Sequence, residues 1–525
     1  MTELPTGAGY VAAAVLPVGL LLAVVALGRV SSLVAGLLSL LAALALSALI
    51  FRADASVLGI AMAKGVWRGL WIVGVLAPAL LIYRLSQRAG VERLGEAMTL
   101  LVPRNREKLL LVAWVFPSFI QGVAGFGAPI ALTAPLLVAL GWSPVRAVAY
   151  PLVGYHWSVT FGSMGASYYI ARLTTGIDAQ TGAWFTLWAA VMLAVNCLVA
   201  GCLVLLMDGG LRAVREGMRA LLIVGPVMGA VLVGVTSLVP AVGTLTAGAA
   251  GMVVMVALAS RDRMRARTAN AEAGNPGGRL SAEHVWVFAP YAALMTMVLA
   301  IFTWPPVRAW TEDHLLIAPS LPATETGYGW SNEADERFNP IAIASHPGTY
   351  ILLAAVAGYL LYRRSSLVEP GSWAPIARAW LRSIPRSAAP VLMLTSLAAV
   401  LVDSGMMATF AVGASEAMGT SYALLVPVVG ALGTFVTGST LTSNALFGPL
   451  QHQVATRLDL DTAVFLGAQT AGGNVGNAIA PVGIHVGAAA VDAEKRTSEI
   501  LRTTATPVLV LLAVLVTITY VAGTA

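Results

Sequence analysis

The chain has 525 residues, of which 58% are hydrophobic and only 11% are charged. Soluble domains carry about 25% charged residues, so this composition and a mean hydropathy of +0.82 exclude an ordinary soluble protein. Apolar runs of about 20 residues recur along the whole sequence, and each is long enough to cross the hydrocarbon core of a bilayer. The net charge of +6 comes from basic residues in short segments between these runs, a pattern typical of membrane-protein orientation and not of a nucleic-acid surface. We therefore expect a lipid bilayer, and no nucleic acid, around this chain.

The apolar runs predict about twelve full transmembrane helices. In chain order they cover residues 9–28, 32–51, 66–83, 147–165, 182–206, 220–239, 244–260, 282–303, 347–362, 387–412, 461–490 and 504–522. Two further apolar regions, 109–140 and 421–457, are interrupted near the middle by Gly, Pro and small polar residues, and these predict re-entrant hairpins. The expected fold class is thus an all-α polytopic membrane protein.

The distribution of charge between the runs predicts which side of the membrane each loop occupies. Segments 84–108, 207–219, 261–283 and 363–386 are rich in arginine and are expected in the cytoplasm, whereas the acidic segment 304–346 is expected outside. These assignments agree only if both interrupted regions return to the side from which they enter. Both termini then lie outside, and the expected location is the bacterial inner (plasma) membrane.

An internal repeat supports the same arrangement. Residues 119–122 read FIQG and residues 435–438 read FVTG, at an offset of 316 (435 − 119), and later breaks follow at 161–167 and 470–481. Two similar units that enter from opposite faces form an inverted-topology repeat, which is common in secondary transporters. The predicted organisation is an N-terminal half at 1–260 with hairpin 109–140, a cytoplasmic linker at 261–281, and a C-terminal half at 282–525 with external loop 304–346 and hairpin 421–457.

The broken segments are the predicted substrate site, because irregular backbone at membrane depth is tolerated where it lines a cavity or is buried in protein. A half-helix that starts near Pro129 would point its positive end at the first tip, where a carboxylate fits. Polar residues at the second tip could bind a carboxylate, a substrate hydroxyl or a sodium ion, or could instead cap half-helices and join helices. The candidates are Gln121, Gly122, Gly125, Phe126 and Gly127 in the first hairpin, Ser439, Thr440, Thr442, Ser443 and Asn444 in the second, and Asn474 and Asn477 in the following break.

Ionisable residues inside the predicted spans are few, and each is a candidate for proton coupling. Asp403 could carry a proton, or could lie near a span end and pair with a distant group. His156 and His485 could relay protons near neutral pH, although a hydrogen-bonded structural role is an equal alternative. No Arg or Lys is expected deep in a span, so helix ends and neutral donors should hold any anion.

At these broken segments the sequence resembles the L-lactate permease family, which imports lactate and glycolate with protons. The matching stretches are FIQGVAGFGAPIALTAPLLVALG at 119–141, FGSMG at 161–165, FVTGSTLTSNALFGPLQ at 435–451 and TAGGNVGNAIAP at 470–481. The resemblance covers essentially the whole membrane domain and implies the same fold and transport of a small organic anion.

The sequence departs from the family pattern at several of these positions. The family usually carries acids where Gln121 and Thr440 stand, a lysine at Asn477 and a glutamine at Val482. Its Asn-Thr-Ala-Pro segment is replaced by residues 155–158, so Tyr155 joins the candidate substrate site. Because the usual coupling acids are missing, His156 or Asp403 could have taken over that role, or the coupling ion could differ.

The leading hypothesis is a secondary active transporter that moves L-lactate or a related short 2-hydroxy carboxylate such as glycolate by proton symport, with sodium as the alternative coupling ion. The alternatives are a cation-coupled carrier for a different organic anion and a cation/proton antiporter on the same fold. An enzyme is not expected, since GxSxG and HExxH motifs are absent. No cofactor or metal is expected, because Cys197 and Cys202 lie within one apolar run. The sequence leaves the oligomeric state open.

Overall fold

The computed structural model describes residues 4–26, 32–90, 102, 104–125, 127–269 and 286–524. In these ranges the chain is almost entirely helical, which confirms the predicted all-α membrane class. The helices are α1 (Ala8–Ala26), α2 (Ser32–Leu49), α3 (Ala55–Arg88), α4 (Asn105–Leu110), α5 (Phe116–Val123), α6 (Ala128–Ala139), α7 (Pro144–Tyr155), α8 (Ala166–Thr175), α9 (Ala179–Thr236), α10 (Gly243–Ala269), α11 (Ala289–Thr303), α12 (Pro305–Asp313), α13 (Pro347–Arg364), α14 (Trp373–Asp403), α15 (Met406–Met418), α16 (Val426–Thr437), α17 (Thr440–Arg457), α18 (Thr462–Asn477), α19 (Pro481–Ala489) and α20 (Thr497–Gly523).

Six of the described helices are long and apolar enough to cross a bilayer, and the total is eight if each of two bent pairs is one span. The predicted count of twelve crossings is therefore not confirmed. One reason is that two of the expected spans are built from shorter half-helices, α7 with α8 and α18 with α19. The chain is a multi-pass membrane protein.

Helices α3 and α14 run antiparallel and form an extensive interface. The helices approach closely where Gly65 faces the backbone of Ser396 and Gly69 faces Leu392. Both helices differ from their predicted spans: α3 starts eleven residues before the predicted 66–83, and α14 ends at Asp403, inside the predicted 387–412. Basic residues in the first half of α3 therefore lie in this buried interface.

The predicted loop at 207–219 is wrong. Helix α9 continues through this region and is interrupted only at Gly209 and Gly210, where the latter has a φ of 61°. Beyond this turn the chain reverses direction, so that Gly201 packs on Leu221 and Gly225 packs on Leu198. The two limbs of α9 correspond to the predicted spans 182–206 and 220–239.

Each interrupted apolar region folds as two helical limbs joined by a short tip. In the first, α4 and α5 are joined by a π-helical turn at Leu111–Val115, and α6 follows the tip at 124–127. In the second, α16 and α17 flank the tip at 438–439, and the side chain of Ser443 donates to the carbonyl of Gly430 across the pair (2.9 Å). The helical hairpins are thus present, while their depth and opposed orientation in a bilayer stay predictions.

Segment 304–346 is a folded cover and not an extended loop. It starts with α12 and continues through two small antiparallel sheets, β1 (Leu316–Ile317) with β4 (Ile341–Ala342) and β2 (Thr324–Glu325) with β3 (Ser331–Asn332). The cover is fixed to the helices beneath it, because the indole of Trp67 donates to the carbonyl of Asn339 and that of Trp330 to the carbonyl of Val402.

Candidate functional site

The tips of the two hairpins meet at one half-helix, α19. A Cβ placed on Gly127 of the first tip would lie 2.9 Å from Val486, and one placed on Gly438 of the second would lie 2.7 Å from Val482. These two valines are four residues apart and hence on adjacent turns of the same helix face. Tips that are more than 300 residues apart in sequence are therefore neighbours in space.

Four half-helices begin in this region: α6 at Ala128, α8 at Ala166, α17 at Thr440 and α19 at Pro481. Gly127 precedes α6 with a φ of 85°, a left-handed conformation that favours glycine. The side-chain amide of Asn444 donates to the carbonyl of Ser167 (2.8 Å), which holds the first turns of α17 and α8 together. Helix N-termini carry partial positive charge, so their convergence creates a place that favours an anion.

The first tip also packs against the break in the first broken span. A Cβ on Gly125 would lie 2.3 Å from the hydroxyl of Ser163, and one on Gly162 would lie 2.7 Å from the carbonyl of Gln121. Gln121 is buried at this contact, and Gly122 packs against the backbone of Leu245. Four of the predicted residues of this tip are thus brought together, whereas Phe126 lies outside the described residues.

The two broken spans cross each other through a buried hydrogen-bond network. The hydroxyl of Thr160 contacts the hydroxyl of Thr470 and donates to the amide oxygen of Asn474, both at 2.8 Å. Asn474 in turn donates to the carbonyl of Trp157 (3.0 Å), and Asn444 donates to the hydroxyl of Thr470 (2.7 Å). This network joins the two halves of the chain at the level of their breaks.

A second polar chain runs from this network into the hairpin 421–457. Gln451 donates to Gln469 (3.0 Å), and Gln469 donates to Ser443 (3.1 Å). The hydroxyl of Ser439 accepts from the backbone of Thr442 (3.4 Å), as the capping alternative predicts. Ser439, Ser443, Asn444 and Asn474 therefore support helix ends and contacts between helices in this structure.

Several buried oxygens at the second tip have no hydrogen-bond partner among the described residues. They are the hydroxyls of Thr434 and Thr440 and the amide oxygen of Asn444. The two threonines are close together, because both lie about 3 Å from the position that a Cβ of Gly473 would occupy. Buried polar atoms without partners are rare in proteins, so these oxygens are available to a ligand hydroxyl or a cation.

The remaining predicted residues lie around this centre. Tyr155 is buried and its side chain lies near that of Asn477. His156 is fully buried with Nδ1 2.7 Å from the carbonyl of Val153, and its Nε2 has no partner in the described part of the chain. His485 lies on the exposed face of α19, where Nδ1 contacts the carbonyl of Pro481.

Asp403 does not lie in the tip region but pairs with Lys64 across the α3–α14 interface (2.8 Å). Lys64 and Arg68 are only 7% and 8% exposed. The prediction that no Arg or Lys lies deep in a span is therefore wrong: Arg68 lies inside the predicted span 66–83, and Lys64 lies in the part of α3 that precedes it. The alternative that Asp403 pairs with a distant group is the one that the structure shows.

A cavity of about 690 Å³ reaches the break in the first broken span. Its lining includes Met164 of the break, Tyr168 and Arg172 of α8, and Ser345 and His346 at the end of the cover. A smaller cavity of about 70 Å³ lies between α3 and the first tip, against Ala124 and Gly125.

Sequence reasoning missed several polar residues of this region: Thr160, Gln451, Gln469, Thr470, Lys64 and Arg68. Thr470 opens the break motif at 470–481, and Thr160 directly precedes the break motif at 161–165, so their position next to the breaks was the available signal. Lys64 and Arg68 are four residues apart, which places them on one face of a helix. The burial of that face of α3 is visible only in the tertiary structure.

Two helical hairpins whose tips meet beside two crossed, broken helices define a polytopic membrane transporter. The profile of the L-lactate permease family matches residues 11–524, so the chain belongs to that family. The glycolate permease GlcA of Escherichia coli (strain K12) is 26% identical over 529 residues, covering 94% of this chain and 91% of that protein. The L-lactate permease of Bacillus subtilis (strain 168) is 27% identical over 551 residues, covering 97% and 95%. Among solved structures, the YdaH transporter of Alcanivorax borkumensis has a TM-score of 0.49 at 14% identity, covering 89% of this chain and 87% of that one.

Proposed function

We propose that this chain carries a short 2-hydroxy carboxylate, L-lactate or glycolate, across the membrane together with a proton by alternating access. Family membership supports a small organic anion, since the relatives are named for lactate and glycolate. The observation that carries the proposal is the meeting of both hairpin tips at α19, close to the breaks at which half-helices begin.

In this proposal the substrate carboxylate binds at the half-helix N-termini, where backbone dipoles replace a charged side chain. The substrate hydroxyl then faces the second tip, where Thr434 and Thr440 have oxygens without partners among the described residues. A 2-hydroxy acid has a carboxylate and a hydroxyl on neighbouring carbons, so it uses both features at once.

The access route from outside is the cavity of about 690 Å³, if the cover at 304–346 is external as its charge predicts. Arg172 lines this cavity, and its side chain has no salt bridge within the described ranges. A cation in a cavity with low-dielectric walls raises the local concentration of anions. Met164 at the break of the first span forms part of the same lining, so the route leads toward the tips.

For the coupling proton, His156 is the residue that the contacts favour. Its Nδ1 lies against a carbonyl and so bears the hydrogen, which leaves the buried, unpartnered Nε2 to accept a proton. Asp403 is compensated by Lys64 and is a poorer acceptor, and His485 is exposed. Coupling requires that substrate and proton each favour the binding of the other, and an anion near His156 favours its protonated form.

The test is uptake of radiolabelled L-lactate and glycolate into proteoliposomes that contain the purified full chain. We expect saturable uptake that increases with an inward proton gradient and is unchanged by a sodium gradient at constant pH. His156→Gln should lose the stimulation by the proton gradient, whereas the control His314→Gln, on the exposed cover, should keep it.

Three results would contradict the proposal at different levels. If no short 2-hydroxy acid is taken up under either gradient, the transport function is wrong. If uptake is stimulated by a sodium gradient and not by a proton gradient, the proposed proton coupling is wrong. If His156→Gln keeps full stimulation, the coupling residue is wrong.

A further inference from the structure

Three buried charged side chains form a separate cluster at the α3–α14 interface, away from the hairpin tips. Lys64, Arg68 and Asp403 are 7%, 8% and 4% exposed. Two cations against one acid leave one positive charge in excess. Buried charges are costly unless they are paired and hydrogen-bonded, so this excess requires an explanation.

Asp403 forms a close ion pair with Lys64 and acts on Arg68 only at longer range. The carboxylate of Asp403 lies 2.8 Å from Nζ of Lys64, and no acidic side chain of the described residues lies within ion-pair distance of Arg68. The Nε atom of Arg68 is buried and has no hydrogen-bond partner in the same part of the chain.

The main contact of the Arg68 guanidinium is with the ring of Phe338, whose centroid is 4.9 Å away. The ring also lies 5.8 Å from Nζ of Lys64. A ring face attracts a cation, but it has no lone pair for an N–H donor. The contact with Phe338 therefore does not satisfy the buried Nε–H of the guanidinium.

The described acidic side chains of the cover above the cluster do not supply the missing acceptor. Glu333, Asp335 and Glu336 are all exposed. Asn339 is held to the indole of Trp67 on α3, which fixes Phe338 over the two basic residues. The cover thus encloses the excess charge without neutralising it.

We propose that Arg68, with Lys64 beside it, binds a small monovalent anion, either chloride or a free carboxylate, under the cover at 304–346. A guanidinium matches the two oxygens of a carboxylate and also donates to a halide. Asp403 sets the affinity, because it cancels one of the two positive charges. This site is distinct from the tip region and does not depend on the proposed transport function.

The experiment measures the apparent Tm of the purified full chain in detergent as the anion is varied at constant ionic strength. Sodium chloride and sodium acetate are each titrated against sodium methanesulfonate, a bulkier monovalent salt. We expect a saturable increase in Tm with at least one of the small anions, because a ligand that binds only the folded state stabilises it. A response to chloride alone, to acetate alone or to both identifies the source of the anion.

Two variants shift the affinity in opposite directions. Arg68→Gln should weaken anion binding by about 10- to 100-fold, the range expected for loss of hydrogen bonds to a charged group. Asp403→Asn should tighten it, because the local charge increases from +1 to +2. The control Arg382→Gln removes an exposed arginine of α14 and should change nothing.

Equal titrations for both small anions and methanesulfonate would overturn the proposal, as would an unchanged midpoint in Arg68→Gln. If Arg68→Gln does not yield folded protein, Asp403→Asn decides: a weaker or unchanged affinity there contradicts the assignment. Chloride is not a 2-hydroxy acid, so these results and those of the uptake assay are separable.

Discussion

Gly472→Ala tests the packing that positions the second tip. In the structure a Cβ at residue 472 would lie 2.0 Å from the carbonyl oxygen of Pro427 and 2.6 Å from its Cα. Ordinary contact begins at 3.4 Å, so α18 and α16 must separate by about 1.4 Å (3.4 − 2.0). Both obstructing atoms belong to the backbone, and therefore no side chain can rotate away to relieve the clash.

The expected cost follows from two opposing terms. Overpacking costs up to about 3 kcal/mol when a backbone must shift. Replacement of a helical glycine by alanine returns about 1 kcal/mol through helix propensity. The net prediction is a loss of about 2 kcal/mol, together with reduced substrate uptake because α16 leads directly to the second tip.

Gly448→Ala is the matched control, since residue 448 is also a glycine inside a helix, in this case α17 of the second hairpin. Its added Cβ would meet Thr175 at 3.5 Å, an ordinary contact, so only the gain of about 1 kcal/mol remains. Thermal melting of the two purified variants in detergent, with uptake measured in proteoliposomes, makes the comparison. We expect the apparent Tm to decrease for Gly472→Ala and to stay level or increase for Gly448→Ala; equal values would refute the packing argument.

Three further perturbations address other parts of the structure. Lys64→Met should destabilise the protein by about 3–5 kcal/mol in thermal melts, because it leaves Asp403 as a buried acid without its ion-pair partner; a neutral effect would contradict the buried pair. Asn474→Ala removes two hydrogen bonds between the broken spans and should cost about 1–3 kcal/mol, and a melting temperature equal to wild type would show that the crossing does not rest on this network. Gly127→Ala should reduce uptake more than Gly141→Ala, since both residues have positive φ but only the added Cβ at residue 127 would lie 2.9 Å from α19; equal transport rates for the two variants would show that this contact is unimportant.

The membrane class, the helical hairpins and the approximate positions of the breaks were predictable from the sequence alone. Long apolar runs are stable in a bilayer, and the clustered glycines and small polar residues around 122–127, 161–165 and 438–444 lie at or next to helix ends. These are local properties of the chain. The family resemblance at 119–141 and 435–451 rests on the same segments and is confirmed by the match over residues 11–524.

The site was predictable only in part. Gly125 lies in a non-helical tip as predicted, whereas Gln121 and Asn474 lie inside α5 and α18 near their ends. Whether a polar side chain meets a ligand or another helix depends on residues about 300 positions away. Asn474, for example, contacts Thr160 and Trp157 of the other half. Such contacts leave no periodic pattern in the sequence.

The pairing of the buried charges follows from the tertiary structure and could not be predicted from the sequence. The hydropathy pattern placed the start of a span at residue 66, because Lys64 lowers the local hydropathy, yet α3 begins at Ala55 and carries Lys64 and Arg68 into the interior. A basic residue can be buried there because Asp403, 339 positions later, lies beside it. Sequence fixes which residues can form a helix or a turn, whereas the partner that makes a buried charge tolerable is chosen by packing between distant helices.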